Sequence, residues 1–309
     1  MSSQITEAFV KQFSANVFHL SQQKGSRLRG SVRQEMQRGK VAFYDRIGAV
    51  SAQLKTSRHS DTPQLDTPHS RRMVSMSDYE WADLIDDQDK IRLLLDPTSN
   101  YIKSAMWALG RSMDDVLIAA ATGTAYSGEE GTTSVILPAS QYVGCVVGTS
   151  AVSNLNVQTL IRVKSKFGSN DVDEDIPLHI AVTQAQIDNL LTETQVTSAD
   201  YNSVKALVEG KIDTFMGFKF HRLQRLGVIP LASVTLATGA VALSTGTSDG
   251  KKLCFAWAED GLLLSVGMDM KARVSERDDK SYATQAYAAL SIGSTRMEEN
   301  KVVGIVTNE

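Results

Sequence analysis

A chain of 309 residues, 42% hydrophobic and 22% charged, is long enough for about two folded domains and too apolar for a disordered protein. Its formal net charge of −3 argues against a dedicated nucleic-acid-binding protein. The first residues lack the basic and apolar regions of a signal peptide, and no apolar run approaches the roughly 18 residues of a membrane span, so we expect a soluble, unsecreted protein.

The near-neutral total hides two blocks of opposite charge. Residues 24–72 contain eleven Lys or Arg against four Asp or Glu, and residues 73–96 contain two against seven. Segregated blocks of this kind favour charge pairing between parts of one chain or of several chains.

The N-terminal 40 residues are typical of an arm. Ile5, Phe9, Phe13, Val17 and Leu20 form one helical stripe, and residues 24–40 then carry six basic side chains and one acidic one. Little apolar surface remains after Leu28 to hold this segment on its own subunit. We therefore expect it to contact other subunits or an anionic polymer and to lie outside the subunit core. The alternative is a solvated, frayed terminus.

Two extended stretches follow, at residues 40–54 and 72–81, separated by a polar linker that repeats Asp-Thr-Pro at Asp61 and Asp66. This pattern predicts a long hairpin with an exposed tip. We expect the basic side chains Arg58, Arg71 and Arg72 to reach a neighbouring subunit. Their expected partners form an acidic belt: Asp83, Asp86, Asp87 and Asp89.

Residues 98–122 are the longest helical signal in the chain. Ile102, Met106, Leu109, Met113, Val116 or Leu117, and Ala120 recur at three-and-four spacing, whereas Lys103, Arg111, Asp114 and Asp115 lie off this stripe. Gly123 is expected to end the helix in the left-handed conformation. At about 1.5 Å per residue the helix would be roughly 35 Å long, enough to act as the spine of the subunit.

In the second half of the chain, the succession of helix and strand patterns predicts an α/β lobe. A helix is expected over residues 156–167, and an alternating strand over 176–182 is followed by Thr183 as the cap of a helix over 184–191. Further expectations are a helix over 200–209, a strand through Phe218 and Phe220, and an exposed hairpin or loop over 234–247. Two apolar strands are expected within 252–266, and closing strands are expected over 283–292 and 301–307.

No arrangement of residues predicts catalysis. The five histidines fall in no zinc-binding spacing, and Cys145 and Cys254 are predicted to be reduced and buried. Gly123 and Gly128 have the spacing of a phosphate loop, but Glu129 and Glu130 replace its Lys and Ser/Thr. We therefore expect no catalytic, cofactor-binding or metal-binding residues.

A mixed-charge cluster lies between two of the predicted strands. It comprises Arg273, Glu276, Arg277, Asp278 and Asp279. Because its charges nearly cancel, we expect a salt-bridge network between subunits or lobes; the alternative is a solvated turn.

Three long runs carry a family resemblance. They are MWALGRSMDDVLIAAATGTAYSGEEGTTSV, LVEGKIDTFMGFKF and CFAWAEDGLLLSVGMDMKARVSERDDKSYATQAYAALSIGSTRMEENKVVGI. In this order they resemble a branch of the tailed-bacteriophage major capsid proteins, over most of residues 98–309.

The resemblance implies an α+β Hong Kong 97-like capsid fold with an arm, an extended loop, a peripheral domain and an axial domain. The expected boundaries are 1–39 for the arm, 40–81 for the extended loop, 82–175 for the peripheral domain with the spine helix 98–122, 176–278 for the axial domain and 279–309 for closing peripheral strands.

The resemblance also implies a function. The expected role is a non-catalytic major capsid protein that self-assembles into hexamers and pentamers of an icosahedral shell around double-stranded DNA. Portal and scaffolding proteins, a decoration protein and non-specific contact with packaged DNA are the expected partners, without a membrane. The virion capsid, assembled in the host cytoplasm, is the expected location. An encapsulin-like nanocompartment, a soluble enzyme and a nucleic-acid-binding protein remain the alternatives.

Overall fold

The computed structural model describes residues 20–58, 64–86, 98–145, 154–192, 214–226 and 251–308. The chain divides into two compact units. The first unit comprises Met1–Ser26, Asp78–Ser112 and Met268–Ser291, and the second comprises Arg27–Ser77, Met113–Gly267 and Ile292–Glu309. The domain boundaries expected from the sequence stay a prediction. Several predicted features lie outside the described residues: most of the arm helix, Asp87, Asp89, the helix over 200–209 and the stretch 234–247.

The fold is mixed α+β. Its helices are α1 (Thr98–Thr122), α2 (Val157–Ser169) and α3 (Gln184–Thr192). Its strands are β1 (Arg33–Met36), β2 (Val41–Ile47), β3 (His69–Ser75), β4 (Ser77–Ile85), β5 (Ala125–Ser127), β6 (Thr133–Val135), β7 (Tyr142–Gly144), β8 (Leu178–Val182), β9 (Thr214–Phe215), β10 (Phe218–Arg222), β11 (Lys251–Ala258), β12 (Leu262–Arg277), β13 (Ala283–Arg296) and β14 (Val302–Asn308). No described helix is both long and apolar enough to cross a membrane.

The strands of the described residues form three sheets. Their orders are β1-β12-β13-β4, β7-β14-β11-β8-β10-β9 and β2-β3-β5-β6. The six-stranded sheet mixes the parallel pair β8–β10 with antiparallel pairs of β11 against β8 and β14. Not all strands that follow one another in sequence pair with each other, since β11 and β12 lie in different sheets.

The six-stranded sheet contains much of the core of the second unit. Trp257, Phe255 and Ile180 are fully buried at its centre. In β8 the consecutive residues from His179 to Val182 are all buried, so the predicted alternation is wrong for this strand. A central strand covered on both faces has no solvent side on which to place polar residues.

Helix α1 agrees closely with the predicted spine. Leu109, Met113 and Leu117 are buried, and Ala105 and Ala121 extend the same row. Asp114 departs from the expectation because it is also fully buried. Its carboxylate accepts hydrogen bonds from the backbone N–H groups of Arg27 and Leu28, at 3.0 to 3.2 Å, which explains why a charged side chain is tolerated there.

The predicted left-handed end of α1 at Gly123 is wrong. Gly123 does not have a positive φ. Its N–H instead donates to Ala119 O at 2.9 Å, as in a continuing α-helix. The guanidinium of Arg296 donates to Ala121 O and Gly123 O at 3.0 and 2.9 Å. A buried cation therefore terminates the helix, at the end where its dipole is negative.

The cap of α3 is also corrected. The hydroxyl of Thr183 is buried and has no hydrogen-bond partner among the described residues. Helix α2, by contrast, is capped by Asn156, whose side-chain oxygen accepts from Thr159 N at 2.8 Å.

The later part of the arm segment belongs to the subunit fold. Leu28 and Val32 are buried, β1 pairs in parallel with Leu263–Val266 of β12, and Trp257 Nε1 donates to Ser31 O at 2.8 Å. The expectation that nothing holds residues 24–40 on their own subunit is therefore wrong for residues 27–37. Backbone pairing, two buried apolar side chains and the hydrogen bonds with Asp114 and Trp257 hold this segment on its own subunit, even though it is basic.

Candidate assembly site

The predicted long hairpin is present. β2 and β3 pair antiparallel from Val41↔Ser75 to Ile47↔His69, and Gly48 N donates to Pro68 O at 2.8 Å where the strands end. In the connecting loop, all the described residues, 48–58 and 64–68, are exposed. The hairpin thus has a paired stem and an exposed loop.

Alternation along the stem divides its side chains between two faces. Ala42, Tyr44, Arg46, Arg72 and Val74 share the inner face, where Arg72 and Val74 are fully buried. The inner face packs within the second unit, to which the hairpin stem also belongs, because Tyr44 Oη lies 3.1 Å from Ser265 Oγ. The other face is exposed.

A cluster of three arginines and one glutamate fixes the stem. Arg72 pairs with Glu299 through a close contact, Arg296 Nε lies 3.6 Å from Glu299 Oε1, and Arg46 Nη1 lies 3.9 Å from Glu299 Oε2. We call this set, Arg46, Arg72, Arg296 and Glu299, the arginine cluster. It joins two strands of the hairpin to the turn before β14.

Neutral carbonyl groups accept further hydrogen bonds from the arginine cluster, although Arg46 Nε, Arg72 Nη1 and Arg296 Nε have no hydrogen-bond partner among the described residues. Arg46 Nη1 and Arg72 Nε both donate to Met297 O, the latter at 3.3 Å. Arg296 also donates to Val135 O at 3.1 Å. The cluster therefore connects the C-terminal end of α1, strand β6 and the hairpin stem in one network.

Burial dominates the electrostatics of the arginine cluster. It lowers the pKa values of Arg72 and Arg296, and the carboxylate of Glu299 opposes this lowering in both. Arginine stays protonated at any ordinary pH, so three positive charges are held against one negative charge. Glu299 is consequently the residue on which the cluster depends.

The sequence-predicted basic residues have different surroundings. Arg58 is exposed in the loop. Arg71 is exposed on the outer face, where Nε lies 2.6 Å from Asp45 Oδ1 across the strand pair. Arg72 is only 1% exposed and pairs with Glu299 of its own chain. A charge on Arg72 is therefore not presented at the surface of this subunit.

The predicted acidic belt is described only in part. Asp83 and Asp86 are exposed, at the end of β4 and just after it, and Asp83 Oδ1 accepts from Leu84 N at 2.9 Å. Asp87 and Asp89 lie outside the described residues. Pairing of this belt with the hairpin of a neighbour stays a prediction.

The mixed-charge cluster lies at the turn between β12 and β13. Arg277 donates to both carboxylate oxygens of Asp279, at 2.9 and 3.0 Å, and to Gln285 Oε1 at 3.3 Å. This hydrogen bonding lowers the pKa of Asp279 and raises that of Arg277. Arg273, Glu276 and Asp278 are exposed around this pair. A role between subunits stays a prediction.

Comparison with known proteins decides the family. A family model described as "Phage capsid protein" matches residues 5–309. The chain belongs to the phage capsid protein family. The subunit is therefore a structural major capsid protein, which self-assembles into the shell of a virion. No curated protein matches the chain.

Solved capsid structures share this subunit's fold. The capsid of cyanophage P-SCSP1u has 16% identity and a TM-score of 0.73, with 100% of this chain and 96% of that chain covered. The capsid of Ralstonia phage GP4 has 10% identity and a TM-score of 0.72, with 97% and 95% covered. A Helicobacter pylori bacteriophage KHP30 capsid has 10% identity and a TM-score of 0.69, with 99% and 97% covered. The α+β Hong Kong 97-like capsid fold is thereby confirmed.

A partly buried histidine pair in the capsid subunit, His179 and His221, was missed from the sequence. His179 Nδ1 lies 3.0 Å from His221 Nε2, and the ring of His179 stacks on that of Trp257 at 5.5 Å. Burial, together with the neighbouring His221 and Lys219, lowers the pKa of His179 to about 4. The pairing arises because β8 and β10 place His179 and His221 on adjacent strands, 42 residues apart in sequence.

Most of the arginine cluster was also missed. Arg46, Arg296 and Glu299 belong to no recognisable spacing, and Arg72 is next to Arg71 in a run that looks uniformly basic. The only available signal was strand parity, which places Arg71 and Arg72 on opposite faces. Sequence alone does not say which face is buried.

Proposed function

We propose that this capsid subunit forms a closed icosahedral shell around the double-stranded DNA of a tailed phage, with the β2–β3 hairpin as its main contact with neighbours. The exposed hairpin loop carries this proposal. Val50 and Leu54 are 61% and 89% exposed in it, although apolar side chains of this size gain free energy when covered. A fixed stem with an apolar, basic loop suits a contact between copies.

A loop-replacement variant tests the role of the hairpin. Because Gly48 and Pro68 are already hydrogen-bonded, residues 49–67 can be replaced by Asn-Gly, which closes a two-residue turn. We expect the variant to keep the thermal unfolding transition of the subunit and to form no shells by negative-stain electron microscopy. Shells of normal size from this variant would refute the role of the loop.

Contact with packaged DNA is the second part of the proposal. Arg27 Nη1 donates to Arg222 O, and Arg222 Nη1 donates to Gln184 Oε1 at 2.8 Å. Both guanidinium groups thus have neutral side-chain or backbone acceptors and remain able to neutralise phosphate. The affinity of subunits for duplex DNA should fall as the salt concentration rises. Arg222→Gln should make this affinity less dependent on salt, whereas the control variant Lys166→Gln should change the salt dependence less.

Further partners follow from the same role. We propose a portal protein, a scaffolding protein and a decoration protein as partners, and assembly in the host cytoplasm, with non-specific DNA contact and no membrane. Their support is the family membership alone. Co-expression with the neighbouring genes of the phage, followed by mass spectrometry of purified particles, tests each partner separately.

A further inference from the structure

Within the second unit, residues 27–37 are held by two fully buried side chains, Asp114 and Trp257. The carboxylate of Asp114 accepts hydrogen bonds from two backbone N–H groups of this segment, at 3.0 to 3.2 Å. Trp257 Nε1 donates to Ser31 O at 2.8 Å. Because both side chains are buried, losing either bond leaves a polar group unpaired. The position of the segment therefore depends on both side chains.

The histidine pair lies beside both of these side chains. Trp257 and Lys219 are each in register with His179 on the neighbouring strands, and His221 lies two residues after Lys219, so all four share one face of the six-stranded sheet. The ring of Trp257 lies 5.5 Å from that of His179 and 5.7 Å from that of His221. The charge of Asp114 acts on His221. A movement of either ring therefore acts on the groups that hold the segment.

The hydrogen bond between the two rings limits how many protons they carry. His179 Nδ1 lies 3.0 Å from His221 Nε2, which requires an N–H on one ring and a lone pair on the other. A protonated imidazole carries an N–H on both nitrogens. When both rings are protonated, two N–H groups face each other, and the bond is replaced by repulsion between two positive charges. The paired geometry is therefore incompatible with double protonation.

The surroundings of the pair also disfavour added protons. His179 is 3% exposed, and its Nε2 has no hydrogen-bond partner among the described residues, so a proton there would be buried without an acceptor. Burial lowers the pKa values of both histidines, and the positive charge of Lys219 lowers them further. Both rings are consequently uncharged at neutral pH.

The charged groups that face the pair come from several elements. Lys219 lies on β10 with His221, and Glu259, in the turn after β11, places Oε2 4.0 Å from His179 Nε2. Asp114 of α1 raises the pKa of His221, against the larger effect of burial. Arg27 of the held segment donates from Nη1 to the backbone carbonyl of the residue after His221. The segment thus contacts the strand of one histidine directly.

We propose that protonation of both histidines detaches residues 27–37 from α1 and from the six-stranded sheet, while the strands of that sheet stay paired. Two charged rings need separation and water. Moving this segment frees Trp257 and Asp114 and admits water to the rings, without breaking the backbone pairing of β8, β10 and β11. Acid favours the detached state, because that state binds both protons more readily. The inference concerns the subunit itself and goes beyond its proposed role in a shell.

Hydrogen exchange of full-length subunits at pH 7 and pH 4 tests the detachment. Mass spectrometry reads the exchange, which is corrected for the intrinsic effect of pH. We expect the protection of residues 27–37 to fall at least about tenfold in acid. The amides of β14, which pair with β11, should keep their protection. Unchanged protection of residues 27–37 would overturn the proposal, and so would an equal loss in β14, because the whole unit would then be unfolding.

A variant that cannot be protonated separates the histidine pair from other acid effects. His221→Gln keeps a hydrogen-bonding side chain, and we expect its residues 27–37 to lose less than about twofold in protection between the two pH values. His69→Gln is the matched control, because His69 is exposed on β3 and should leave the full loss in place. A full acid-induced loss in His221→Gln would overturn the proposal. His179→Gln makes the same comparison at the other ring, so the test does not depend on the folding of one variant.

Trp257→Phe tests the connection between the pair and the segment. Phenylalanine keeps an aromatic ring beside the histidines but has no N–H for Ser31 O. We expect the protection of residues 27–37 to be lower already at pH 7, by at least about threefold, with a smaller change in β14. Equal protection in wild-type and Trp257→Phe subunits would overturn the coupling. None of these measurements requires shells, so failure of this inference is distinguishable from failure of the proposed function.

Discussion

Glu299 is the single residue on which the buried charges near the hairpin stem depend. It is the only carboxylate within salt-bridge distance of Arg46, Arg72 and Arg296 among the described residues. Its side chain is 19% exposed, whereas those of Arg72 and Arg296 are 1% and 0% exposed. Removing one partner of a buried ion pair leaves uncompensated charge, which is far more costly than losing a surface pair.

We therefore expect Glu299→Gln to lower the free energy of unfolding by about 3 kcal/mol. Urea unfolding of unassembled subunits measures it. Glu298→Gln is the matched control, since Glu298 is more exposed, lies 3.5 Å from Lys301 and should cost less than about 1 kcal/mol. Equal effects of the two substitutions would contradict the importance of the arginine cluster.

His179 gives the subunit a pH-dependent stability. Its pKa is about 4 in the folded state against 6.5 as the ordinary value. Between these values the unfolded chain binds a proton that the folded chain does not, so stability rises with pH. The contribution of His179 to the free energy of unfolding is therefore complete above pH 6.5. As the pH falls towards 4, this contribution is lost, and the free energy of unfolding decreases by up to about 3 kcal/mol. Among the described residues, the charged groups near the pair include Glu259, whose Oε2 lies 4.0 Å from His179 Nε2, together with Lys219 and Asp114.

We expect His179→Gln to weaken the pH dependence of stability between pH 5 and pH 7, as measured by urea unfolding at both values. His69→Gln is the control, because His69 is exposed on β3 and should leave the dependence unchanged. An unchanged pH dependence in His179→Gln would assign the effect to other groups.

At the scale of single elements, helix α2 depends on its cap. Asn156 Oδ1 accepts from both the N–H and the hydroxyl of Thr159, at 2.8 and 2.7 Å. We expect Asn156→Ala to lower the free energy of unfolding by about 1 kcal/mol. Ser169→Ala, at the exposed other end of α2, should change it by less than about 0.5 kcal/mol. Thermal unfolding of both variants checks the difference, and equal midpoints would argue against the cap.

The elements also show where local sequence rules apply. Helix α1 and the pairing of β2 with β3 were predicted because apolar periodicity and strand composition act over a few residues. The end of α1 was mispredicted, because its terminating group, Arg296, lies more than 170 residues away in sequence. The alternation predicted for β8 failed because burial on its second face depends on neighbouring elements.

At the scale of the whole molecule, the mixed-charge cluster at the turn between β12 and β13 is the remaining candidate contact. If Arg277 also contacts a neighbour, Arg277→Ala will yield normally folded subunits whose shells dissociate at lower temperature. Lys280→Ala in the same turn is the control. Light scattering during heating measures the temperature at which the shells dissociate. An unchanged dissociation temperature for Arg277→Ala would show that Arg277 pairs with Asp279 of its own chain and does not contribute to a contact between subunits.

The sequence by itself determined the class of protein, the spine helix and the hairpin, because these depend on composition, on periodicity and on long runs shared with a family. Only the tertiary structure decided which charges are buried. Arg71 and Arg72 are neighbours, yet one is exposed beside Asp45 and the other is buried against Glu299. Strand parity separates two such residues, but the face that becomes buried is set by packing with residues more than 200 positions away in sequence.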